Sequence, residues 1–183
     1  MMPVPDSHPL RRWFAGLVED SFEREIGLCA PPVLDYLIEL LTEFIHVERI
    51  NMLGDGSGRR VEDVAELLCR AEVGPGATSQ EHRRQYHRHI GDYTLFWVGV
   101  YPEVLRQTRR RKCRDDLLSY SQQGKRSYAI ASELSNDRMQ PPAEVLQTLS
   151  DEFESCVYGL GLVRKNWEKT DPGGTDVTTL LWH

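Results

Sequence analysis

The sequence lacks a hydrophobic run long enough to cross a bilayer. The longest nearly apolar run begins at Tyr93 and ends at Val100, whereas a spanning helix needs about 20 apolar residues. The first residues, Met-Met-Pro-Val-Pro-Asp-Ser-His, contain neither a basic leader nor an apolar stretch of the kind found in signal peptides. We therefore expect a cytoplasmic protein that does not bind a membrane.

Cysteine is also scarce, and the four cysteines lie far apart: Cys29, Cys69, Cys113 and Cys156. No Cys-x-x-Cys spacing occurs, which argues against a zinc ribbon or a thioredoxin-type redox pair. We expect free thiols in a reducing compartment. Glycine and proline, 14 and 10 of the 183 residues, have an ordinary share, which excludes fibrous and low-complexity classes.

The chain has the length and composition of one globular domain. It contains 183 residues, of which 40% are hydrophobic, enough to bury a core without disulfide bonds or structural metals. We predict a single domain over residues 1–169. A flexible C-terminal tail is predicted over residues 170–183, where the sequence Asp-Pro-Gly-Gly follows Thr170.

Apolar residues recur at helical spacing in almost every segment, and the alternation typical of strands is hard to find. We predict an all-α fold, a single compact bundle of about six helices. The central and longest helix is predicted over residues 79–112, with Thr78 and Glu81 as a capping box and Pro102 kinking or dividing it. The other helices are predicted to begin near Pro9, Pro32, Val61, Asp115 and Pro142. The first should stop at Gly27, the second near Val47, and the last should run unbroken over residues 142–167.

Charge is unevenly distributed along a chain whose net charge is −6. Residues 79–114 carry nine basic and three acidic side chains. Most of this excess lies in a basic segment that begins at Arg106 and ends at Arg114, at the expected end of a helix, where the helix dipole favours cations. The pI of about 5.5 predicts weak unspecific attraction to nucleic acid, although this segment is where nucleic acid would bind.

Two of the predicted helices carry ionisable residues at positions where a core-facing stripe would normally have none. Glu43 and His46 have the Glu-x-x-His spacing that di-iron helical bundles use, because residues three apart project toward the same ion. His89 and Asp92 have the reverse order on the central helix, and Asp151 or Glu154 would have to complete the ligand set. These residues predict a site for iron, manganese or zinc. The structural alternative is that Asp92 pairs with Arg88 one turn earlier.

A second enzymatic hypothesis rests on the run of arginine and histidine residues from 81 to 89. Arg84 precedes His89 by five residues, and Arg83 precedes His87 by four. This spacing resembles the arginine and histidine motif of the all-α HEPN ribonucleases. The resemblance implies that the two residues act on RNA across a dimer interface, and it covers the motif alone.

Residues 13–167 as a whole resemble a group of uncharacterised bacterial proteins of similar length. The resemblance lies in the blocks His-Arg-His-Ile-Gly-Asp-Tyr from His87, Tyr-Pro-Glu from Tyr101, Gly-Lys-Arg-Ser-Tyr from Gly124 and Tyr-Gly-Leu from Tyr158. It implies a bacterial, cytoplasmic protein and no particular activity.

The sequence contains more apolar helix faces than groups of polar side chains that could catalyse a reaction. The sequence therefore favours a non-catalytic interaction protein, acting as a homo-oligomer or with another protein. Trp97, Trp167 and Trp182 are predicted to be contact residues, because large aromatic side chains are frequent anchors at interfaces.

Overall fold

The computed structural model describes residues 8–27, 30–54, 79–103, 105 and 113–170. The elements are the helices α1 (Pro9–Ser21), α2 (Pro31–Gly54), α3 (Gln80–Val100), α4 (Cys113–Glu133), α5 (Ala143–Asp151) and α6 (Phe153–Thr170), with one π-helical turn, Phe22–Ile26, after α1. No strand occurs in these ranges, and the all-α prediction is confirmed. The predicted helix near Val61 and the segment 106–112 lie outside the described residues.

The chain divides into two compact units. The first comprises Met1–Arg60 and Tyr158–His183, and the second comprises Val61–Val157. Helices α1 and α2 therefore belong to the first unit, and α3, α4 and α5 to the second. Helix α6 is one continuous helix whose residues from Tyr158 onward are assigned to the first unit. The predicted tail lies outside the described residues from position 171 onward.

Helix α1 begins and ends at residues that suit its termini. The His8 Nδ1 atom accepts a hydrogen bond from the backbone N–H of Leu10 at 3.2 Å, and Pro9 occupies the first turn, where its missing N–H costs nothing. Gly27 ends the π-helical turn with φ 76°, a left-handed conformation that glycine adopts without strain. The predicted stop at Gly27 is confirmed.

Helix α2 continues to Gly54, so the predicted end near Val47 is wrong. Residues 48–53 contain neither proline nor glycine, and Gly54 is the first strong helix breaker after Pro32. The helix is buried on most sides over its first four turns. The buried residues are Val33, Leu34, Tyr36, Leu37, Ile38, Leu40, Leu41, Thr42 and Ile45.

Helix α3 stops at Val100 rather than running to residue 112. Tyr101 leaves helical geometry with φ −129° and ψ 55°, because the ring of Pro102 disfavours the helical conformation in the residue before it. The predicted division at Pro102 is confirmed. At the other end Ser79, not Thr78, is the N-cap, and its side chain makes no capping bond, so the predicted capping box is wrong.

The last predicted helix is two helices. Glu152 interrupts it with φ −101° and ψ 24°, although no proline or glycine lies nearby. The apolar stripe nevertheless continues across the interruption, because the Cys156 N–H still bonds to the Glu152 carbonyl at 2.8 Å. Seven apolar residues that recur at helical spacing along the two helices are buried: Leu146, Leu149, Phe153, Cys156, Leu160, Val163 and Trp167.

Glycine at two buried positions permits close packing within each unit. In the second unit, a Cβ on Gly124 would clash with the Thr94 hydroxyl and lie 2.6 Å from the Phe153 ring. In the first unit, a Cβ on Gly159 would lie 2.6 Å or less from the ring of Phe22. The absence of a side chain at Gly124 therefore permits the close approach of Thr94 and Phe153 to α4.

Candidate functional site

The predicted metal ligands on α3 are occupied by other contacts or exposed. Asp92 accepts a hydrogen bond from the Tyr128 hydroxyl at 2.8 Å through Oδ1. Its Oδ2 lies 3.5 Å from the Arg88 Nε, which confirms the alternative prediction that Asp92 pairs with Arg88. His89, one turn from Asp92, is exposed and its ring centroid lies 6.3 Å from that of Tyr93.

The other predicted ligands lie on α2, α5 and α6. Glu43 is half-buried on α2, and the His46 side chain lies outside the described residues. Asp151 and Glu154 are exposed and bind Gln147 and Lys125, respectively. Among the residues that the structure describes, no group of three or more histidine, cysteine, aspartate or glutamate side chains could hold a metal.

The metal site therefore stays a prediction. The purified protein should contain iron, manganese or zinc near stoichiometry if Glu43, His46, His89 and Asp92 bind one ion. Elemental analysis checks this directly. A metal-free protein whose melting temperature is unchanged by added iron or zinc contradicts the site.

The residues of the ribonuclease-like motif lie on different sides of α3. Arg84 is 3% exposed and His89 is exposed, because residues five apart on a helix are about 140° apart around its axis. His87, the other histidine of the motif, is buried. The structure thus does not bring Arg84 and His89 together within one chain, and their action on RNA stays a prediction.

Arg84 instead anchors the segment that joins α4 to α5. Its Nε donates to the Ser135 hydroxyl at 2.7 Å, and its two terminal nitrogens donate to the carbonyl oxygens of Gln140 at 3.3 Å and Pro141 at 2.7 Å. Gln80, one turn earlier, donates to the Leu134 carbonyl at 3.3 Å. Sequence reasoning missed this role, because an arginine within an arginine-rich run carries no sign that it is buried.

A polar network also connects α3 to α4. Tyr128 is fully buried, and its ring lies against Gly91, where a Cβ would come within 2.7 Å of ring carbons. The phenol donates to Asp92, which faces Arg88 on its other oxygen. The Tyr128 hydroxyl therefore has a hydrogen-bond acceptor although it lies between two packed helices, where an unpaired hydroxyl would destabilise the fold.

The predicted tryptophan anchors are interior residues. Trp97 is 7% exposed and Trp167 is 5% exposed, and the Trp167 ring packs edge-on against Trp13 and Phe14. The prediction that Trp97 and Trp167 are interface anchors is wrong, because both side chains complete the core instead. Trp182 lies outside the described residues.

Among the residues that the structure describes, Tyr158 is the large hydrophobic side chain that is exposed, at 61%. It lies on α6, on the side opposite the buried stripe. The sequence contained a signal for this position, because Tyr158 lies two residues from both Cys156 and Leu160, and a displacement of two residues turns about 200° around a helix.

Cys156 is a buried packing residue with a free thiol. The pKa of its thiol is raised to about 12, chiefly by burial and in addition by the charges of Glu152 and Glu154. A thiol in this state is protonated at neutral pH and is a poor nucleophile or metal ligand.

Within the described ranges, no helix combines the length and apolar character that spanning a membrane requires. Comparison with protein-family models, curated proteins and solved structures finds no match for this chain.

Proposed function

We propose that this chain is a non-catalytic interaction protein of the bacterial cytoplasm that acts as a homo-oligomer. The observation that carries the proposal is the 61% exposure of Tyr158 on a helix whose other side is packed. Half-buried Leu162 lies one turn further along the same side. Tyrosine is enriched in the energetically dominant positions of protein interfaces, because it combines a large apolar ring with a hydroxyl.

The roles of the polar residues support the same proposal. Arg84 holds the connection between α4 and α5, and Asp92 and Tyr128 join α3 to α4. Each of these buried or half-buried groups has a structural partner that accounts for its position. None of these contacts requires a substrate or an ion to explain it.

Light scattering coupled to size exclusion tests the oligomeric state of the full chain. We expect a mass above that of the 21.1 kDa monomer at concentrations well above micromolar, with dissociation on dilution. A monodisperse monomer across the whole concentration range contradicts the proposal.

A further inference from the structure

The outward side of α6 has a regular pattern. Glu154, Tyr158 and Lys165 are exposed, and Gly161 is half-buried. The four positions follow one another at spacings of four, three and four residues, the spacing that keeps a line of side chains on one side of a helix and forms the contact seam of coiled coils. Leu162 flanks this line. We call these five residues the α6 face.

The α6 face has opposite charges at its two ends. Glu154 lies in the first turn of the helix, and Lys165 lies about three turns later. Tyr158 and Gly161 lie between them, a large ring next to a residue without a side chain. The face therefore has an acidic end, an apolar middle and a basic end.

We infer that the α6 face binds the same face of a second copy of this chain, with the two helices antiparallel. A two-fold axis at the level of Gly159 and Leu160 sets Glu154 opposite Lys165 of the second copy. The same axis sets Tyr158 opposite Gly161 of the second copy, where no side chain blocks the ring. Two-fold contacts use the same patch on both subunits. The inference rests on the proposed homo-oligomer and assigns its interface.

Charge complementarity favours this occupant and this direction. An antiparallel pair brings the acidic end of each face to the basic end of the other, twice per dimer. A parallel pair would set Glu154 against Glu154 and Lys165 against Lys165, and like charges directly opposite are destabilising. A face whose two ends complement each other matches a copy of itself without any further assumption about a partner.

The existing contact of Glu154 is compatible with this role. The carboxylate lies 3.1 Å from the Lys125 Nζ of its own chain, and the two side chains are 66% and 42% exposed. An exposed pair of this kind is weak. A hydrogen bond from its own backbone N–H is the largest cause that lowers the pKa of Glu154, and Lys125 lowers it further, so the carboxylate is charged at neutral pH.

A charge-swap experiment on the full chain tests the inference. Glu154→Lys and Lys165→Glu each set like charges opposite one another, and we expect each to raise the dimer Kd by about tenfold or more. The double variant Glu154→Lys/Lys165→Glu restores both pairs with reversed sign, and its Kd should return to within about threefold of the original. Sedimentation equilibrium measures all four proteins.

The apolar middle is tested by Tyr158→Ala, which should raise the dimer Kd by about tenfold or more, as loss of an interface anchor does. Two reversals on α4, Arg126→Glu and Glu133→Lys, make the same charge changes at exposed positions off the α6 face and should leave the Kd unchanged. Lys125→Ala removes the partner of Glu154 within the chain and should also leave it unchanged. Thermal melts confirm that each variant is folded.

The outcomes separate this inference from the proposed function. A wild-type protein that is monomeric throughout overturns both. A wild-type oligomer whose Kd is insensitive to Tyr158→Ala, or that the double charge swap fails to restore after the single variants weaken it, overturns the α6 face and leaves the homo-oligomer with another interface.

Discussion

At the scale of single residues, two buried polar side chains, those of Arg84 and Tyr128, connect separate elements of the fold. Arg84 is 3% exposed and binds three acceptors on the segment between α4 and α5. Hydrogen bonds from a charged donor contribute more than neutral ones. The guanidinium suits this position because its planar fork reaches several acceptors at once, which a lysine ammonium does not.

Replacing Arg84 should therefore destabilise the fold. We expect Arg84→Ala to lower the free energy of unfolding by about 2–3 kcal/mol, because it leaves the hydroxyl of Ser135 and two carbonyl oxygens without their donor. Urea denaturation measures the loss. Arg126→Ala, at an exposed position, is the matched control and should stay within about 0.5 kcal/mol of the wild type. Equal losses in the two variants would contradict the anchoring role.

Cys156 should be unreactive until the protein unfolds. Burial raises the pKa of its thiol to about 12, and thiolate, not thiol, reacts with alkylating reagents. Iodoacetamide at mildly alkaline pH should leave Cys156 unmodified in the native protein and should modify it in urea. Peptide mass spectrometry locates the alkylated cysteine. The raised pKa also predicts that the free energy of unfolding falls as the pH rises from the ordinary thiol pKa toward 12. The reason is that the thiol ionises at a lower pH in the unfolded chain than in the folded one. Rapid native labelling contradicts this account.

At the scale of elements, glycine has opposite effects in different helices. In α4, a Cβ on Gly124 meets Thr94 and Phe153, whereas in α1 a Cβ on Gly16 meets nothing within 4 Å. The first glycine is required by packing. Gly16 lowers the stability of the helix relative to alanine, because glycine loses more backbone entropy when a helix forms, and no close packing requires it.

The same substitution should accordingly change stability in opposite directions at these two positions. We expect Gly124→Ala to lower the free energy of unfolding by about 1–3 kcal/mol through overpacking. Gly16→Ala should raise it by about 0.5–1 kcal/mol through helix propensity. Thermal and urea unfolding of both variants provide the comparison. A stabilising Gly124→Ala would mean that Phe153 moves aside freely, contrary to the close packing described above.

The elements also show what the sequence could predict. The stripe from Leu146 to Trp167 followed from its period alone, since burial of one helix side requires that pattern. The break at Glu152 did not, because no breaker residue marks it and the stripe continues through it. The assignment of Trp97 and Trp167 to an interface was wrong, because composition cannot distinguish a tryptophan that fills a core from one that is exposed. The position of Tyr158 relative to the stripe, by contrast, could have predicted its exposure.

At the scale of the whole molecule, charge opposes association with nucleic acid. The net charge is −6 and the pI is about 5.5, so long-range repulsion from phosphates opposes any local attraction. We expect no mobility shift of a short RNA at about 10 µM protein and physiological salt, where unspecific binders have Kd values of about 1–100 µM. A shift that disappears steeply with added salt would instead indicate that the segment from Arg106 to Arg114 engages phosphates.

The π-helical turn Phe22–Ile26 bears on how this chain tolerates changes in length. The Gly27 N–H bonds to the Phe22 carbonyl at 2.9 Å, five residues back, so the turn contains one residue more than an α-helical turn would. Elsewhere in α1, deleting a residue would rotate every later side chain by about 100° and displace the buried face. Here a deletion at exposed Glu23 returns the turn to α-helical spacing while Phe22 keeps its place against Gly159. We therefore expect the fold to tolerate the loss of one residue at this turn without repacking the core.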